Sequence, residues 1–237
     1  MKVNLFITFI SILILTLNLN CTSTKKEKDI VWEPLFNTIE DTVNWTSTKD
    51  GFSKEGWIID KDELILLPGR KGGDLVTKKK YTNFELKLDF KYLSHINSGV
   101  KYFVNQLKHL KRDRYELVGF EYQIIDDFKQ DEIRGFDDEK GSTAAIYLLE
   151  APDKNKKLNP AEEWNSLRIK VNNGNVEHWL NGEKVIDVNI NTEEFAKKIE
   201  ETKFKDYEGF GKQLDGHILL QDHGDQVHFK NIMIVEL

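Results

Sequence analysis

The residues best placed to do chemistry stand near the carboxyl end of the chain, at positions 221–224 (Gln-Asp-His-Gly). Apolar and mixed positions alternate before them at 218–220, as in a strand whose second face becomes polar toward its end. Gly224-Asp225 is a turn signal, and the apolar residues at 227 and 229 predict a return strand. We therefore expect a hairpin whose end presents Gln221, Asp222 and His223 to a ligand.

A second polar pair lies inside an apolar stretch, residues 120–126 (Phe-Glu-Tyr-Gln-Ile-Ile-Asp). Successive strand residues point to opposite faces, so Glu121 and Gln123 share one face and the aromatic residues share the other. Polar residues on the second face of an apolar strand suit the floor of a ligand cleft. A solvated sheet face would show the same pattern.

A third candidate segment, Asn-Ser-Gly-Val-Lys at 97–101, places Asn97, Gly99 and Lys101 on one strand face. Glycine inside a strand permits close approach of a ligand or of another backbone, or marks a simple bulge. Lys101 lies between apolar neighbours, so it is either a snorkelling lysine or the ion-pair partner of Glu121.

The elements that must position these residues are short strands. The clearest is 84–92, where Phe, Leu and Tyr alternate with Glu, Lys and Asp. Asn-Gly pairs at 173–174 and 181–182 predict tight hairpin turns. We predict strands at 64–67, 84–92, 98–104, 120–125, 144–149, 164–171, 176–180 and 185–188. This pattern indicates an all-β antiparallel sandwich.

One segment departs from the strand pattern. Charged residues surround Phe195, Ala196 and Ile199 at helical spacing, which predicts a short helical insertion over 192–203. We expect His178 to be a hydrogen-bonded core histidine, and Trp57, Trp164 and Trp179 to be core residues rather than sugar platforms.

Length and charge bound the class of protein. The chain has 237 residues, 39% of them hydrophobic, and a net charge of -6 without a basic stripe. This length can fill one large sandwich, and we see no boundary within 31–237. The scattered lysines and arginines argue against a nucleic-acid partner.

The amino terminus reads as an export signal. Residues 5–17 are nearly all apolar after Lys2, and the chain's single cysteine, Cys21, follows directly. We expect residues 1–20 to be a signal peptide, Cys21 to carry lipid, and 21–30 to be a tether to a bacterial membrane, in the periplasm or on the cell surface. The alternative is an ordinary signal peptide or an uncleaved anchor, with Cys21 incidental.

Several stretches, in order along the chain, resemble one family. They are Leu-Phe-Asn at 35–37, Gly-Asp-Leu-Val-Thr-Lys at 73–78, Asn-Phe-Glu-Leu at 83–86, Asn-Ser-Gly-Val-Lys at 97–101, Gly-Phe-Glu-Tyr-Gln-Ile at 119–124, Glu-Trp-Asn at 163–165, Trp-Leu-Asn-Gly at 179–182, Thr-Lys-Phe at 202–204 and Gln-Asp-His-Gly at 221–224. Together they resemble the 3-keto-disaccharide hydrolase domain family, over roughly residues 31–237. The resemblance implies the jelly-roll sandwich of concanavalin-like lectins and glucanases, and cleavage of glycosides whose sugar carries a ketone at C3.

Related glucanase sandwiches place carboxylates at i, i+2 and i+4 of one strand, and retaining hydrolysis needs two of them. Here those positions are Glu121, Gln123 and Ile125, so we expect no classical two-carboxylate mechanism. A 3-keto sugar needs less, because its ketone acidifies the proton on C2. One base can remove that proton, and the enolate then expels the glycosidic oxygen.

For this scheme, Glu121 or His223 is the candidate base, and Lys101 is the candidate donor to the enolate oxygen. The candidate substrate-binding residues are Asn97, Gln123, Gln221, Tyr147 and Asp222. We expect the first three to share one concave face with Glu121, Lys101 and His223, Tyr147 to be a cleft wall, and Asp222 to bind substrate or orient a neighbouring loop.

Alternatives to this scheme remain open. We expect no cofactor, although Glu121, Asp222 and His223 could hold a divalent metal that polarises the ketone. The expected partner is an oligosaccharide or glycoside, together with an upstream sugar 3-dehydrogenase that makes the ketone. The rival function is a non-catalytic, lectin-like sugar-binding module, which would be favoured by a floor made mainly of Trp and Tyr.

Overall fold

In a computed structural model, which describes residues 31–132 and 139–237, the chain folds into short and medium strands with one α-helix. The predicted signal peptide, Cys21 and the tether lie outside the described residues. The strands are β1 (Glu33–Phe36), β2 (Trp45–Ser47), β3 (Trp57–Asp60), β4 (Glu63–Leu66), β5 (Leu75–Thr77), β6 (Phe84–Tyr92), β7 (Asn97–His109), β8 (Arg114–Ile125), β9 (Asn165–Asn172), β10 (Asn175–Leu180), β11 (Glu183–Asn189), β12 (His217–Leu220) and β13 (Val227–Glu236).

These strands form two antiparallel sheets. The larger sheet has the order β11-β10-β9-β6-β13-β4-β3, with β1 also paired to β13. The smaller has the order β2-β5-β12-β7-β8. The predicted antiparallel sandwich is confirmed, and the clearest predicted strand, 84–92, coincides with β6.

The core lies between the sheets and is rich in aromatic residues. Phe84 of β6 contacts Tyr102 of β7 edge to face, with ring centroids 6.3 Å apart. Phe120 and Tyr122 of β8 are buried in the same cluster. Burial of each such ring contributes about 1.5–3 kcal/mol to stability. Because β8 alternates, its intervening residues, Glu121 and Gln123, face away from this core.

The Asn-Gly pairs make the turns that the sequence predicts. Asn173 and Asn181 both have φ of 50°, and the glycines that follow them both have φ of 82°. Two consecutive residues with positive φ define the turn that matches the twist of antiparallel strands. These turns join β9, β10 and β11 into consecutive hairpins.

The predicted helical insertion is present as helix α1 (Glu193–Glu200), followed by a 3-10 turn over Lys203–Asp206. Thr192 caps α1 by accepting a hydrogen bond from the Phe195 amide at 3.2 Å. Phe195 packs against Phe120, with ring centroids 5.9 Å apart, so α1 is fixed to β8. No helix in the described residues has the length and apolar character needed to cross a membrane.

The predicted terminal hairpin is wrong. β12 belongs to the five-stranded sheet, whereas β13 belongs to the eight-stranded sheet, and the two do not pair. The segment 221–226 is therefore a connection from one sheet to the other. Its six residues are too many for a tight two-residue turn, and Gly224, with φ of 109°, redirects the chain.

The strand predicted at 144–149 is also wrong. Ala144 and Leu148 have φ of 73° and 63°, outside the region of regular strands, and the segment is a series of turns. It still lies along the free edge of β8, where the Tyr147 amide donates to the Glu121 carbonyl at 3.0 Å. The strand predicted at 120–125 is longer than expected, because β8 begins at Arg114.

The tryptophans divide between two environments. Trp57 is a core residue, as predicted, but Trp164 and Trp179 are only half-buried. Trp179 stands opposite Arg168 in the β9–β10 pair, on the side of the larger sheet that faces away from the core. The expectation that these two are core residues is therefore wrong.

Candidate active site

Lys101 and Glu121 form the centre of the candidate site, on the face of the smaller sheet that points away from the core. They are direct cross-strand partners in β7 and β8. Lys101 Nζ lies 3.6 Å from Glu121 Oε2. Glu121 is only 6% exposed, so its carboxylate is largely withdrawn from water while staying close to a cation. Of the two alternatives for Lys101, a snorkelling lysine or the ion-pair partner of Glu121, the structure shows the ion pair.

Gly99 makes room for the Glu121 side chain. A Cβ at position 99 would lie 2.5 Å from Glu121 Oε1 and 3.0 Å from its Cγ. The first contact is shorter than real Cβ atoms show, and the second is tighter than most, so a larger residue would displace the carboxylate. The glycine thus makes room for a side chain of the next strand, and not, as expected, for a ligand or another backbone or at a simple bulge.

Gln221 bridges the ion pair. With its amide oriented to suit both neighbours, Nε2 donates to Glu121 Oε1 at 3.3 Å, and the amide oxygen accepts from Lys101 Nζ at 3.2 Å. The Gln221 backbone amide donates to the Gly99 carbonyl at 3.0 Å, which extends the β12–β7 pairing by one residue. Three strands thus contribute one side chain each to a connected polar group.

Asn97 and Gln123 lie further along the same face. Gln123 Nε2 donates to Asn97 Oδ1 at 3.0 Å. The backbone N–H of Asn97 donates to Asp225 Oδ2 at 2.9 Å. Gln123 is 1% exposed. These contacts connect the carboxyl end of β8 to the 221–226 connection.

His223 stands on that connection, half-buried. Burial is the main cause that lowers the pKa of its imidazole, and the positive charge of Arg70 lowers it further. Asp225 and Glu121 act in the opposite direction. Arg70 Nε also donates to the His223 carbonyl at 2.8 Å, which fixes the backbone there. A lowered pKa keeps the imidazole neutral near pH 7, as a base requires.

Asp222 holds two loops together. Its Oδ2 accepts from the Gly73 amide at 2.8 Å, and its own amide donates to Asp74 Oδ1 at 2.8 Å. Its Oδ1 is buried without a hydrogen-bond partner among the described residues. The carboxylate therefore orients the neighbouring loop.

Three further residues come close to the pair. Tyr147, predicted as a cleft wall, has Lys203 Nζ 4.7 Å from its ring centroid. Loss of water lowers the pKa of the Lys203 ammonium, with Glu121 opposing the shift and Lys101 adding to it. Burial raises the pKa of the Asp74 carboxyl, against the influence of the Asp222 amide and of Lys101.

Sequence reasoning did not select Lys203 or Asp74 as site residues. Both belong to stretches that carry the family resemblance, Thr-Lys-Phe at 202–204 and Gly-Asp-Leu at 73–75. Their position within these stretches was the one feature of the sequence that could have marked them as site residues. Lys203 follows a helix rather than a strand, so strand parity could not place it.

The metal alternative has no arrangement to support it in this structure. Among residues 31–132 and 139–237, no three His, Cys, Asp or Glu side chains are grouped as metal ligands. Glu121 is occupied by Lys101 and Gln221, and Asp222 by the Gly73 amide. Metal dependence stays an open alternative that a chelator would test.

A buried carboxylate beside two lysines, a bridging amide and a neutral imidazole can transfer a proton and stabilise a nearby oxyanion. On an antiparallel sandwich, this combination suggests a carbohydrate-active protein. Residues 31–235 match the model of the 3-keto-alpha-glucoside-1,2-lyase-like domain, and the chain belongs to that family. The predicted family is confirmed.

Sequence comparison identifies a relative that is described as a hydrolase. The chain is 29% identical over 180 residues to a 3-keto-disaccharide hydrolase of Bacteroides thetaiotaomicron. The match covers 69% of this chain and 61% of the relative, so the chain spans less than two thirds of that protein's length.

Solved structures agree with the fold. A candidate glycosyl hydrolase from Parabacteroides distasonis is 30% identical, with a TM-score of 0.72 over 87% of this chain and 94% of that one. A second from the same organism is 26% identical, with a TM-score of 0.62 over 87% of this chain and 100% of that one. A Bacillus subtilis protein with a galectin-like fold, 13% identical, has a TM-score of 0.51 over 87% of this chain and 94% of that one and supports the sandwich fold alone.

Proposed function

We propose that this chain cleaves a 3-keto-glycoside by base-assisted elimination at the candidate site. The observation that carries the proposal is the 3.6 Å separation of Lys101 Nζ and Glu121 Oε2. Removal of the C2 proton places negative charge on the oxygen of the adjacent carbon, C3. A base and a cation a few ångströms apart match those two neighbouring positions.

The first step transfers the C2 proton to Glu121, and the C2–H electrons form the enolate. As Glu121 becomes neutral, the positive charge of Lys101 is no longer balanced by it and is available to the enolate oxygen. The negative charge thus moves from one partner of Lys101 to another without leaving the site. Little reorganisation is needed, because the ammonium is already in place.

The second step breaks the C1–O bond. The enolate electrons return to form a C1–C2 double bond conjugated with the ketone, and the glycosidic oxygen leaves with a proton. Lys203 suits this donation, because its lowered pKa makes its ammonium a better acid than an ordinary lysine. Addition of water across the new double bond completes hydrolysis.

His223 is the competing base, and a separate observation favours it. Its imidazole is half-buried, and therefore easier to reach than the Glu121 carboxylate, and its lowered pKa keeps it neutral. If His223 accepts the proton, Glu121 is a positioning residue that holds Lys101.

The test incubates the domain with a 3-keto-disaccharide and measures released sugar, with and without a chelator. Glu121→Gln keeps the shape of the side chain but cannot accept the proton, so turnover should fall about 10²–10⁴-fold. His223→Ala is the matched comparison. If His223→Ala loses turnover while Glu121→Gln keeps near-full kcat, the base is His223.

Two other outcomes would end the proposal. If neither variant alters turnover of a verified substrate, the reaction occurs elsewhere. If no 3-keto-glycoside is cleaved yet glycans bind, the chain is a lectin-like binding module. Loss of activity with the chelator alone, restored by a divalent ion, would add a metal to the scheme.

We also propose that the mature protein is exported and attached to a bacterial membrane through lipid on Cys21. The basis is the apolar run at 5–17 followed by a solitary cysteine. A dehydrogenase that oxidises C3 of the sugar would supply the substrate of the proposed reaction.

A further inference from the structure

A second groove lies on the opposite side of the sandwich, on the outer face of the eight-stranded sheet. It consists of two adjoining cavities of about 530 Å³ and 400 Å³ that share Asp89 and Ser166. Trp179 lines the first cavity and Trp164 the second. We call these two cavities the outer groove. None of the residues that line it belongs to the candidate active site.

Two cross-strand rows of side chains shape the outer groove. In one row Trp179 faces Arg168, Arg168 faces Lys87, and Lys87 faces Met233, across β10, β9, β6 and β13. In the neighbouring row two shorter side chains, Ser166 and Asp89, stand beside Arg168 and Lys87, and Asp89 faces the long side chain of Lys230. The change from long to short residues leaves the depression.

A bulge in β13 adds to the depression. The register between β13 and β6 shifts between Lys230 and Met233, and Asn231 has φ of 53°. Asn231 Nδ2 donates to Asp89 Oδ2 at 2.7 Å across the bulge. Bulges bend a strand and redirect its side chains, and they recur next to binding sites.

The two tryptophans are held in place by cations. Arg168 lies 4.7 Å from the ring centroid of Trp179. Lys230 Nζ lies 4.1 Å, and Lys91 Nζ 4.8 Å, from the ring of Trp164. These contacts fix large, half-exposed aromatic surfaces that a solvated sheet does not need.

Charges around the outer groove are nearly balanced. Arg168 Nε pairs with Glu85 Oε1 at 2.7 Å, and Lys91 Nζ lies 3.7 Å from Glu63 Oε2. Lys87 and Lys230 remain, and Asp89 offsets one of their two positive charges, so the groove keeps a small net positive charge. The lining therefore offers hydrogen-bond donors and acceptors side by side with aromatic surface, without a strong field of one sign. That combination suits a neutral, hydroxyl-rich ligand better than a polyanion.

We propose that the outer groove binds a neutral oligosaccharide without cleaving it. Trp164 and Trp179 contact the apolar faces of sugar rings, and Asp89, Ser166, Arg168 and Asn231 contact hydroxyl groups. This site has no need of a C3 ketone, and it works whether or not the candidate active site does.

The test measures binding of maltoheptaose, cellohexaose and laminarihexaose to the chain by calorimetry, at millimolar concentration. At least one should bind wild type and bind equally to Glu121→Gln, which leaves the outer groove unchanged. Ser166→Arg should weaken that binding at least 10-fold, because it fills the shared part of the groove while remaining on an exposed strand position. Trp179→Ala should weaken it similarly.

Circular dichroism and the thermal midpoint establish that each variant is folded, and Ser166→Arg should leave turnover of a 3-keto-disaccharide unchanged. The proposal fails if none of the three oligosaccharides binds. It also fails if binding is lost in Glu121→Gln yet kept in Ser166→Arg, or if only an anionic glycan such as polygalacturonate binds.

Discussion

Gly99 and Glu121 occupy one space: a Cβ on the glycine would lie 2.5 Å from the carboxylate oxygen Oε1. Gly99 of β7 pairs with Gln123 of β8. This pair is two residues away from the Lys101–Glu121 pair and lies on the same face of the sheet. The reason for a glycine here is therefore a side chain on the next strand, and not a turn. The Glu121 carboxylate can occupy its position because residue 99 has no side chain.

Gly99→Ala should slow cleavage of a 3-keto-disaccharide by about 10- to 100-fold, since moving a catalytic group by an ångström costs up to about 10²-fold. Its control is the same change in a Glu121→Gln background. If alanine acts by displacing the Glu121 carboxylate, the two effects should be far from additive. Fully additive losses would indicate that Gly99 acts on something other than Glu121.

Removing the charge of Arg70 should raise the pKa of His223, since that charge is the second cause of its depression, after burial. Arg70→Met keeps the length of the side chain without the charge. If neutral His223 is needed, activity is lost as pH falls through the pKa of His223, below the ordinary value of about 6.5. The acid limb of kcat/KM should then move to higher pH in Arg70→Met. NMR titration of the imidazole measures the same shift directly, and an unchanged His223 titration would contradict the argument.

His178 should make the fold sensitive to acid. It is fully buried, with Nδ1 2.9 Å from the Ala144 carbonyl and Nε2 3.1 Å from the Tyr102 hydroxyl. Burial lowers its pKa to about 4, against the Ala144 hydrogen bond. The unfolded state binds the proton first, so stability is complete above about pH 6.5 and falls as pH drops from there toward 4. The loss is about 3 kcal/mol.

Denaturant titrations from pH 7 to pH 4 measure that loss. His178→Gln should be less stable at pH 7 but should show a flatter dependence on pH. Equal slopes in His178→Gln and wild type would mean that other groups cause the acid sensitivity.

Cys21→Ser should release the exported protein from the membrane fraction if the cysteine carries lipid. Fractionation of cells that express each form, followed by mass measurement of the mature amino terminus, tests this. Substitution of Ser23 by Ala beside it is the matched control and should leave attachment unchanged. Equal membrane association of Cys21→Ser and wild type would refute the lipid anchor.

Strand parity explains how much of the site the sequence could predict. The faces of β7 and β8 follow from period two alone, and this places Lys101 and Glu121 on the side away from the core. The cross-strand register that sets Lys101 directly opposite Glu121 depends on a bulge between Tyr102 and Asn105, where Phe103 has φ of 53°. No local pattern in the sequence predicts that bulge.

Strand pairing between distant parts of the chain could not be predicted from the sequence either. A turn signal at Gly224-Asp225 between two apolar runs describes a hairpin and a crossing between sheets equally well. Which of them forms depends on the partners of β13, and those are β6, β4 and β1, from distant parts of the chain. For the same reason Trp164 and Trp179 could be recognised as apolar, but their sheet face could not be assigned.

The two hydrogen bonds of Asp222 bear on how a ligand enters. Since the residue accepts from Gly73 and donates to Asp74, opening either the loop at 70–74 or the connection at 221–226 alone would break both hydrogen bonds. We therefore expect the border of the candidate site beside His223 to be preformed rather than to act as a lid. Association should be a single-step process whose rate rises linearly with sugar concentration, without the plateau that a slow opening step would impose.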